Sequence, residues 1–288
     1  MDVVDEMTSK LITMSAAIRA IKERSSFLKN VCFHIKFRAF SILGEIMEVH
    51  TLHFPSIDST NGWAKAHFDQ LDPFAVTCIT ADLQTKGKGR YRREWISKKG
   101  NLALTLAFTV SADSPLLPHL AQLLSLSIWE VLNQNGVTAE IKWPNDLLVD
   151  EKKLGGILVE TFPFQDGHGV VAGVGLNVNA PVSPDQIAIS LIEISSKKWD
   201  LTFLRDKITH QFLAHLTRFS EEGFAPAKQK LESCLAYKGE MISCEVGARK
   251  IIGVLEGLSD LGELLVRTKE QGVCTLFSAE ITHLRKKR

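Results

Sequence analysis

Three stretches of the 288-residue chain are dense in residue types that a fold alone does not demand. The first, Gln84 to Trp95, reads Gln-Thr-Lys-Gly-Lys-Gly-Arg-Tyr-Arg-Arg-Glu-Trp. Glycines let backbone amides approach an anion closely, and alternating lysines and arginines neutralise it. The stretch therefore suits a loop that closes over a phosphate or a carboxylate. A solvated basic loop or a nucleic-acid contact fits the same composition. It is not a Walker loop, because Gly-x-x-x-x-Gly-Lys-Ser/Thr is missing. Nor is it a Gly-x-Gly-x-x-Gly dinucleotide turn, because Arg92 stands where the third glycine belongs.

The second stretch is Lys142-Trp143-Pro144-Asn145-Asp146, followed by Lys153-Leu154-Gly155-Gly156-Ile157-Leu158-Val159-Glu160. Pro-Asn-Asp is turn chemistry and predicts a hairpin. Lys153 opens an apolar strand, and a lysine at that edge is well placed to point into a pocket. Gly155 and Gly156 weaken a strand, which suggests that another chain or a ligand packs against the backbone there. In the third stretch, Ala172 to Asn179, Gly173 and Gly175 read most simply as close packing in a central strand. Upstream, Asp58-Ser59-Thr60-Asn61 has the composition of a helix N-cap.

These stretches need elements to hold them. Phe74 to Ala81 and Asn101 to Val110 read as strands, the latter alternating through Leu102, Leu104, Leu106 and Phe108. Leu116 to Asn133 reads as a buried helix stopped by Asn135-Gly136. Short strands follow at Glu140 to Trp143, Leu147 to Val149, Leu154 to Thr161 and Val170 to Val178. Two helices are expected over Asp200 to Glu222 and Pro226 to Ala236. Beyond Gly239 the period returns to two, giving four or five short strands over 241–277 that make a small barrel. The expected fold class is α+β, a mixed sheet packed against helices. Its divisions are a helical extension over 1–46, a main domain over 47–235 and a small barrel over 236–288. Val4, Met7, Leu11, Met14, Ile18 and Ile21 draw one helical stripe over residues 3–22. Met47 is an alternative start.

With 34 Lys+Arg against 33 Asp+Glu, the net charge of +1 argues against a strongly electrostatic nucleic-acid partner. The extension has Gly44 as its only glycine and no proline, so a helix-turn-helix DNA module finds no support there. Cys32, Cys78, Cys234, Cys244 and Cys274 are odd in number and never Cys-x-x-Cys. That excludes a disulfide scaffold or zinc ribbon and leads to the expectation of a reducing cytoplasm. No apolar run reaches the roughly 18–20 residues of a membrane span, and the amino terminus opens with Asp2, Asp5 and Glu6 rather than a basic leader.

Ser59-Thr60-Asn61, the Gln84–Trp95 loop, Lys142–Asp146, the Lys153–Glu160 strand and Gly173-Val174-Gly175-Leu176-Asn177 occur in the order, and at roughly the spacings, of biotin protein ligases. The resemblance spans about 50–180, and the small β-domain suits the carboxy-terminal barrel of that family. It implies a class II aminoacyl-tRNA synthetase/biotin ligase-like fold with an SH3-like barrel. The implied reaction is ATP-dependent activation of biotin as biotinyl-5′-AMP, then transfer to one lysine of a biotin carboxyl carrier protein. By motif position, Ser59, Thr60, Asn61, Gln84, Lys88, Gly89, Arg90, Lys153 and Gly156 would bind biotin. Arg90, Arg93, Trp95, Asn145, Lys153 and Asn177 would bind the nucleotide. Lys153 and Arg90 would serve catalysis. Mg²⁺ is implied with ATP, with no ligand set assigned. The expected protein acts in the cytoplasm without DNA or membrane partners, and homodimerisation is a further expectation. A related alternative is lipoate–protein ligase-like transfer; another is a biotin-responsive repressor.

Two residues depart from the family loop, which usually reads Gly-Arg-Gly-Arg-x-Gly-Arg. Lys88 replaces the first arginine and Arg92 the last glycine. Arg92 is expected to resist the positive φ that glycine allows.

Overall fold

A computed structural model describes residues 32–34, 40–42, 45–183 and 185–284. The helix expected over 3–22 lies outside them. Nine strands form the large sheet: β1 (Cys32–His34), β2 (Phe40–Ile42), β3 (Glu45–Phe54), β4 (Ala75–Ala81), β5 (Leu102–Ser111), β6 (Glu140–Lys142), β7 (Asp146–Val149), β8 (Lys152–Phe164) and β9 (Gly167–Leu176). Their order is β1-β3-β4-β5-β9-β8-β7-β6, with β2 also on β3. The β3–β4 pair is parallel and the other pairs are antiparallel, so the sheet is mixed.

The alternation in β5 decides what lies on each face. Leu102, Leu104, Leu106 and Phe108 enter the main apolar cluster with the helix α2 (Leu120–Gln134). Leu104 and Leu106 are fully buried, each contributing about 1.5–3 kcal/mol. The intervening Ala103, Thr105 and Ala107 face the other way, where α1 (Thr60–Ala66) packs through Ala64. Helix α2 ends at Asn135, and Gly136 follows at φ +80°, as the Asn-Gly signal predicts. After α3 (Leu191–Ser195), the long α4 (Leu201–Glu222) starts at Asp200, whose carboxylate accepts from the Thr202 and Phe203 amides at 2.8 and 3.3 Å.

The carboxy-terminal unit has five antiparallel strands: β10 (Met241–Val246), β11 (Arg249–Leu258), β12 (Leu264–Thr268), β13 (Gly272–Leu276) and β14 (Glu280–His283). They run in the order β13-β12-β11-β10-β14, with a bulge between Leu255 and Gly257. Its apolar side chains, Ile242, Cys244, Leu255 and Val266 among them, join the cluster that contains α2. The Gly262 carbonyl accepts from Gln122 Nε2 at 2.6 Å and Trp143 Nε1 at 3.0 Å, tying the unit to α2 and to the Lys142–Asp146 turn.

The expected elements and the observed ones differ in three places. Helix α5 (Ala225–Ser233) stops before Ala236, because the Cys234 carbonyl and the Ala236 amide are taken by Ile141 at 2.8 and 2.9 Å. Helix α3 was not expected; its signal is the capping box Ser190-x-x-Glu193. The described parts of the first 46 residues are extended rather than helical: β1 and β2 pair with β3, and Met47 lies within β3 opposite Phe40. Among the described residues no helix is long and apolar enough to cross a membrane.

Candidate active site

One cavity of about 690 Å³ opens at the ends of β7, β8 and β9, and every residue assigned to binding or catalysis from the sequence lines it. Ser59, Thr60, Asn61, Gln84, Lys88, Gly89, Arg90, Arg93, Trp95, Asn145, Lys153, Gly156 and Asn177 are separated by up to 118 residues in the chain. The fold brings all of them together.

The inner end is neutral. Ser59 caps α1, its hydroxyl accepting from the Gly62 amide at 3.2 Å, so the expected N-cap and the pocket wall are one residue. Gln84 Oε1 accepts from the Thr60 amide and hydroxyl at 2.9 and 3.0 Å. Thr105, fully buried on β5, has its hydroxyl 2.8 Å from that of Thr60 and 2.7 Å from Asn61 Oδ1. Asn61 Nδ2 donates to the Leu158 carbonyl at 3.1 Å and to the Glu160 carboxylate, which stands behind it, at 3.3 Å. Sequence reasoning missed Thr105; its one signal was a hydroxyl inside an otherwise apolar strand.

The glycines of the third stretch pack against these groups. A Cβ on Gly173 would stand 2.8 Å from Asn61 Cγ, and one on Gly175 2.6 Å from Trp95 Cζ2. A Cβ on Gly155 would stand 2.8 Å from Leu176 Cδ1 and 2.9 Å from Gly175 O, so what packs against that backbone is the neighbouring strand rather than a ligand. Gly156 leaves room for a pair beside it, since its Cβ would meet Asp146 Oδ1 at 3.1 Å and Lys153 Nζ at 3.2 Å.

The outer end is charged. Lys153 Nζ lies 2.7 Å from Asp146 Oδ1 and 5.8 Å from the Trp95 ring centre. Asn145 accepts from Arg90 Nη1 at 3.0 Å and donates to the Ile157 carbonyl at 2.6 Å. Asn177 is tied more loosely, to the Lys153 carbonyl at 3.5 Å. Two contacts come from the carboxy-terminal unit: Arg90 Nη2 donates to Ser278 at 2.9 Å, and Arg93 is bidentate on Glu280 at 2.7 and 2.5 Å. The hydrogen bond from Arg93 holds the Glu280 carboxyl below its ordinary range. Nothing in the local sequence announces Glu280, 187 residues away.

The basic loop is a hairpin. Trp95 N donates to Gly87 O at 3.0 Å, Gly89 N to Arg93 O at 2.8 Å and Arg93 N to Arg90 O at 3.1 Å. Tyr91 and Arg92, at its tip, sit at φ 55° and 59°. The expectation that Arg92 resists positive φ is therefore overturned. Two left-handed residues in a row are what a tight type I′ hairpin tip requires, and Tyr91 is held there between Arg90 and Arg93, whose guanidiniums lie 5.0 and 5.9 Å from its ring centre. Lys88 is exposed at the pocket mouth, opposite Glu94.

A cavity that joins a neutral hydrogen-bonding end to a cationic end suits a molecule with a polar head and an anionic tail. Residues 53–177 match the model of the biotin/lipoate A/B protein ligase family. The chain is 32% identical over 251 residues to the bifunctional ligase/repressor BirA of Bacillus spizizenii, covering 84% of this chain and 76% of that protein. It is 30% identical to the biotin–[acetyl-CoA-carboxylase] ligase of Paracoccus denitrificans, over 73% of this chain and 91% of the relative. Among solved structures, the biotin protein ligase from Aquifex aeolicus in complex with biotin and ATP superposes with a TM-score of 0.70 at 32% identity, covering 82% of this chain and 99% of that one. The chain belongs to the biotin protein ligases.

Proposed function

We propose that the chain joins biotin to a lysine of a biotin carboxyl carrier protein at the expense of ATP, through biotinyl-5′-AMP. The observation that carries this reading is the continuity of the two pocket ends. The Asn61–Thr105–Gln84 end offers donors and acceptors to a neutral, hydrogen-bonding ring, and the Arg90–Lys153 end offers cations to a carboxylate and phosphates.

In the first step a biotin carboxylate oxygen bonds to the α-phosphorus as the bond to the β-phosphate oxygen breaks, and pyrophosphate leaves. Two anions must meet, so Lys153 and Arg90 stabilise the crowded transition state more than the separated reactants. In the second step the carrier lysine's nitrogen attacks the acyl carbon, the acyl–phosphate bond breaks, AMP departs and the amine's proton passes to solvent. Ser59, Thr60, Asn61, Gln84, Lys88, Gly89 and Gly156 hold biotin in this reading, and Arg93, Trp95, Asn145 and Asn177 build the nucleotide end. Magnesium would enter on the nucleotide's phosphates: among the described residues no three metal-ligating side chains converge, and Asp146 and Glu280 are paired with Lys153 and Arg93.

The proposal keeps 47–235 as the ligase unit and 236–288 as its barrel, in a cytoplasmic protein. Homodimerisation, read by sedimentation with and without biotin, and the absence of a DNA role, read by gel shift with biotinyl-5′-AMP and the chain's own biotin-operon promoter, complete it. The decisive test is incubation with ATP, magnesium, biotin and a carrier domain, reading the acceptor's mass. One biotinyl addition is expected, and Lys153→Ala abolishes it; an unmodified acceptor with the wild-type enzyme overturns the reading.

A further inference from the structure

Among the described residues, two lysines that line the cavity, Lys88 and Lys142, take part in no ion pair; Lys88 is exposed to water, whereas Lys142 is half-buried. Lys142 closes β6 directly across from Asp146 on β7, and residues so paired share a face of the sheet. Asp146 is already engaged by Lys153 at 2.7 Å, and Glu280 is gripped by both terminal nitrogens of Arg93. Lys142 lines the cavity and is half-buried, yet among the described residues its amine makes no hydrogen bond or ion pair. Burial pushes the amine's pKa down, and the nearby Asp146 only partly offsets it. A cation deprived of water and given no partner is unfavourable in the empty pocket, and an incoming anion relieves it.

Its position says which part of the anion it meets. Lys142 and Lys153 flank one carboxylate, so satisfying both takes an elongated, multiply charged group. Lys153 lies beside Gly156 and Trp95, at the join of the two ends. The residue before Lys142, Ile141, is bonded to Cys234 and Ala236, where the chain enters the carboxy-terminal unit, and the charges around Lys142 include Glu280 and Arg93. Lys142 thus stands on the outer side.

Resting on the ligase reading, we propose that Lys142 is a catalytic residue of the first step alone, contacting the β- and γ-phosphates that leave as pyrophosphate. It stays protonated. As the bond between the α-phosphorus and its bridging oxygen breaks, the electron pair goes to the pyrophosphate, and Lys142 stabilises the charge that gathers there. Nothing is left for it to bind once pyrophosphate has gone, so it plays no part in transfer to the carrier.

The two steps can be measured apart. Lys142→Gln is expected to lower kcat/KM for ATP in biotinyl-5′-AMP formation by about thirtyfold, the scale of one lost charged hydrogen bond. Lys142→Arg restores most of it. In the reverse reaction, with biotinyl-5′-AMP supplied, the KM for inorganic pyrophosphate rises comparably. Transfer from supplied biotinyl-5′-AMP to the carrier stays within about twofold of wild type, which also shows that the variant is folded. An equal fall in both steps, a fall in transfer alone, or no change in either overturns the proposal. Failure of the wild-type enzyme to form biotinyl-5′-AMP would instead overturn the ligase reading.

Discussion

The inner end of the pocket is lined by neutral groups that bond to one another, with the Glu160 carboxylate behind Asn61; the outer end is lined by charges, most of them paired. Thr60, Asn61 and Thr105 are 3%, 6% and 0% exposed, and they come from α1 and β5, elements fixed by the core on both faces of the sheet. Arg93 and Glu280 are side chains 63% and 38% exposed, one on a hairpin and one on the carboxy-terminal unit. Removing one partner from a buried hydrogen bond costs about 1–3 kcal/mol, whereas an exposed ion pair contributes about 0–1 kcal/mol. The inner end is therefore pre-formed. The outer end is assembled from weak ties that an anionic ligand can exchange.

The largest effect that could break this contrast belongs to Gly173→Ala. The added Cβ would stand 2.8 Å from Asn61 Cγ and 2.9 Å from Asn61 Nδ2, so the amide must leave Thr105 and the Leu158 carbonyl. With two buried hydrogen bonds disturbed, biotin affinity by calorimetry is expected to fall about a hundredfold, or about 2.7 kcal/mol. Affinity near the wild-type value would show that the inner end adapts and is not pre-formed.

A smaller effect is expected from Glu280→Ala. It unties Arg93 and with it one link between hairpin and barrel, so the KM for ATP rises about fivefold, the upper range for an exposed pair. Biotin affinity measured without ATP stays unchanged. Because Arg93 holds the Glu280 carboxyl below its ordinary range, the tie is fully present above the usual carboxylate pKa and is lost as pH falls through the lowered one. A biotin affinity that falls with the KM change would mean the two ends are not separable.

This division also explains what could be read in the sequence. The motifs that reach the pocket are each local in the chain, so the residues that the family resemblance picks out could be named in advance, whereas Thr105, a lone hydroxyl in an apolar strand, could not. Nor could the partners at the outer end. Glu280 meets Arg93 because contacts distant in the chain, those of Gly262 with Gln122 and Trp143 among them, fasten the carboxy-terminal unit in place. Lys142 and Asp146 read as the ends of a turn until β8 brings Lys153 alongside them. Arg92 was misjudged for a similar reason: a residue's intrinsic φ preference is worth about 1–2 kcal/mol, within reach of the hairpin bonds and the Tyr91 contacts that oppose it.

The smallest expected effect is also the sharpest reading of the contrast, since it changes no residue. Raising salt from about 0.05 to 0.5 M shortens the Debye length from about 14 to about 4 Å. Lys86 to Arg93 carries five cations within eight residues, and Lys88, Arg90 and Arg93 line the mouth of the cavity, so attraction for a polyphosphate is screened and the KM for ATP rises severalfold. An alcohol analogue of biotin, lacking the carboxylate, meets only the inner end. Its affinity is expected to change by less than about twofold, because hydrogen bonds between neutral, buried groups are hardly screened. If the alcohol weakens as steeply as ATP does, charge reaches the inner end and the pocket is a single electrostatic unit. If it does not, recognition of the ring and recognition of the phosphates are separate devices within one cavity.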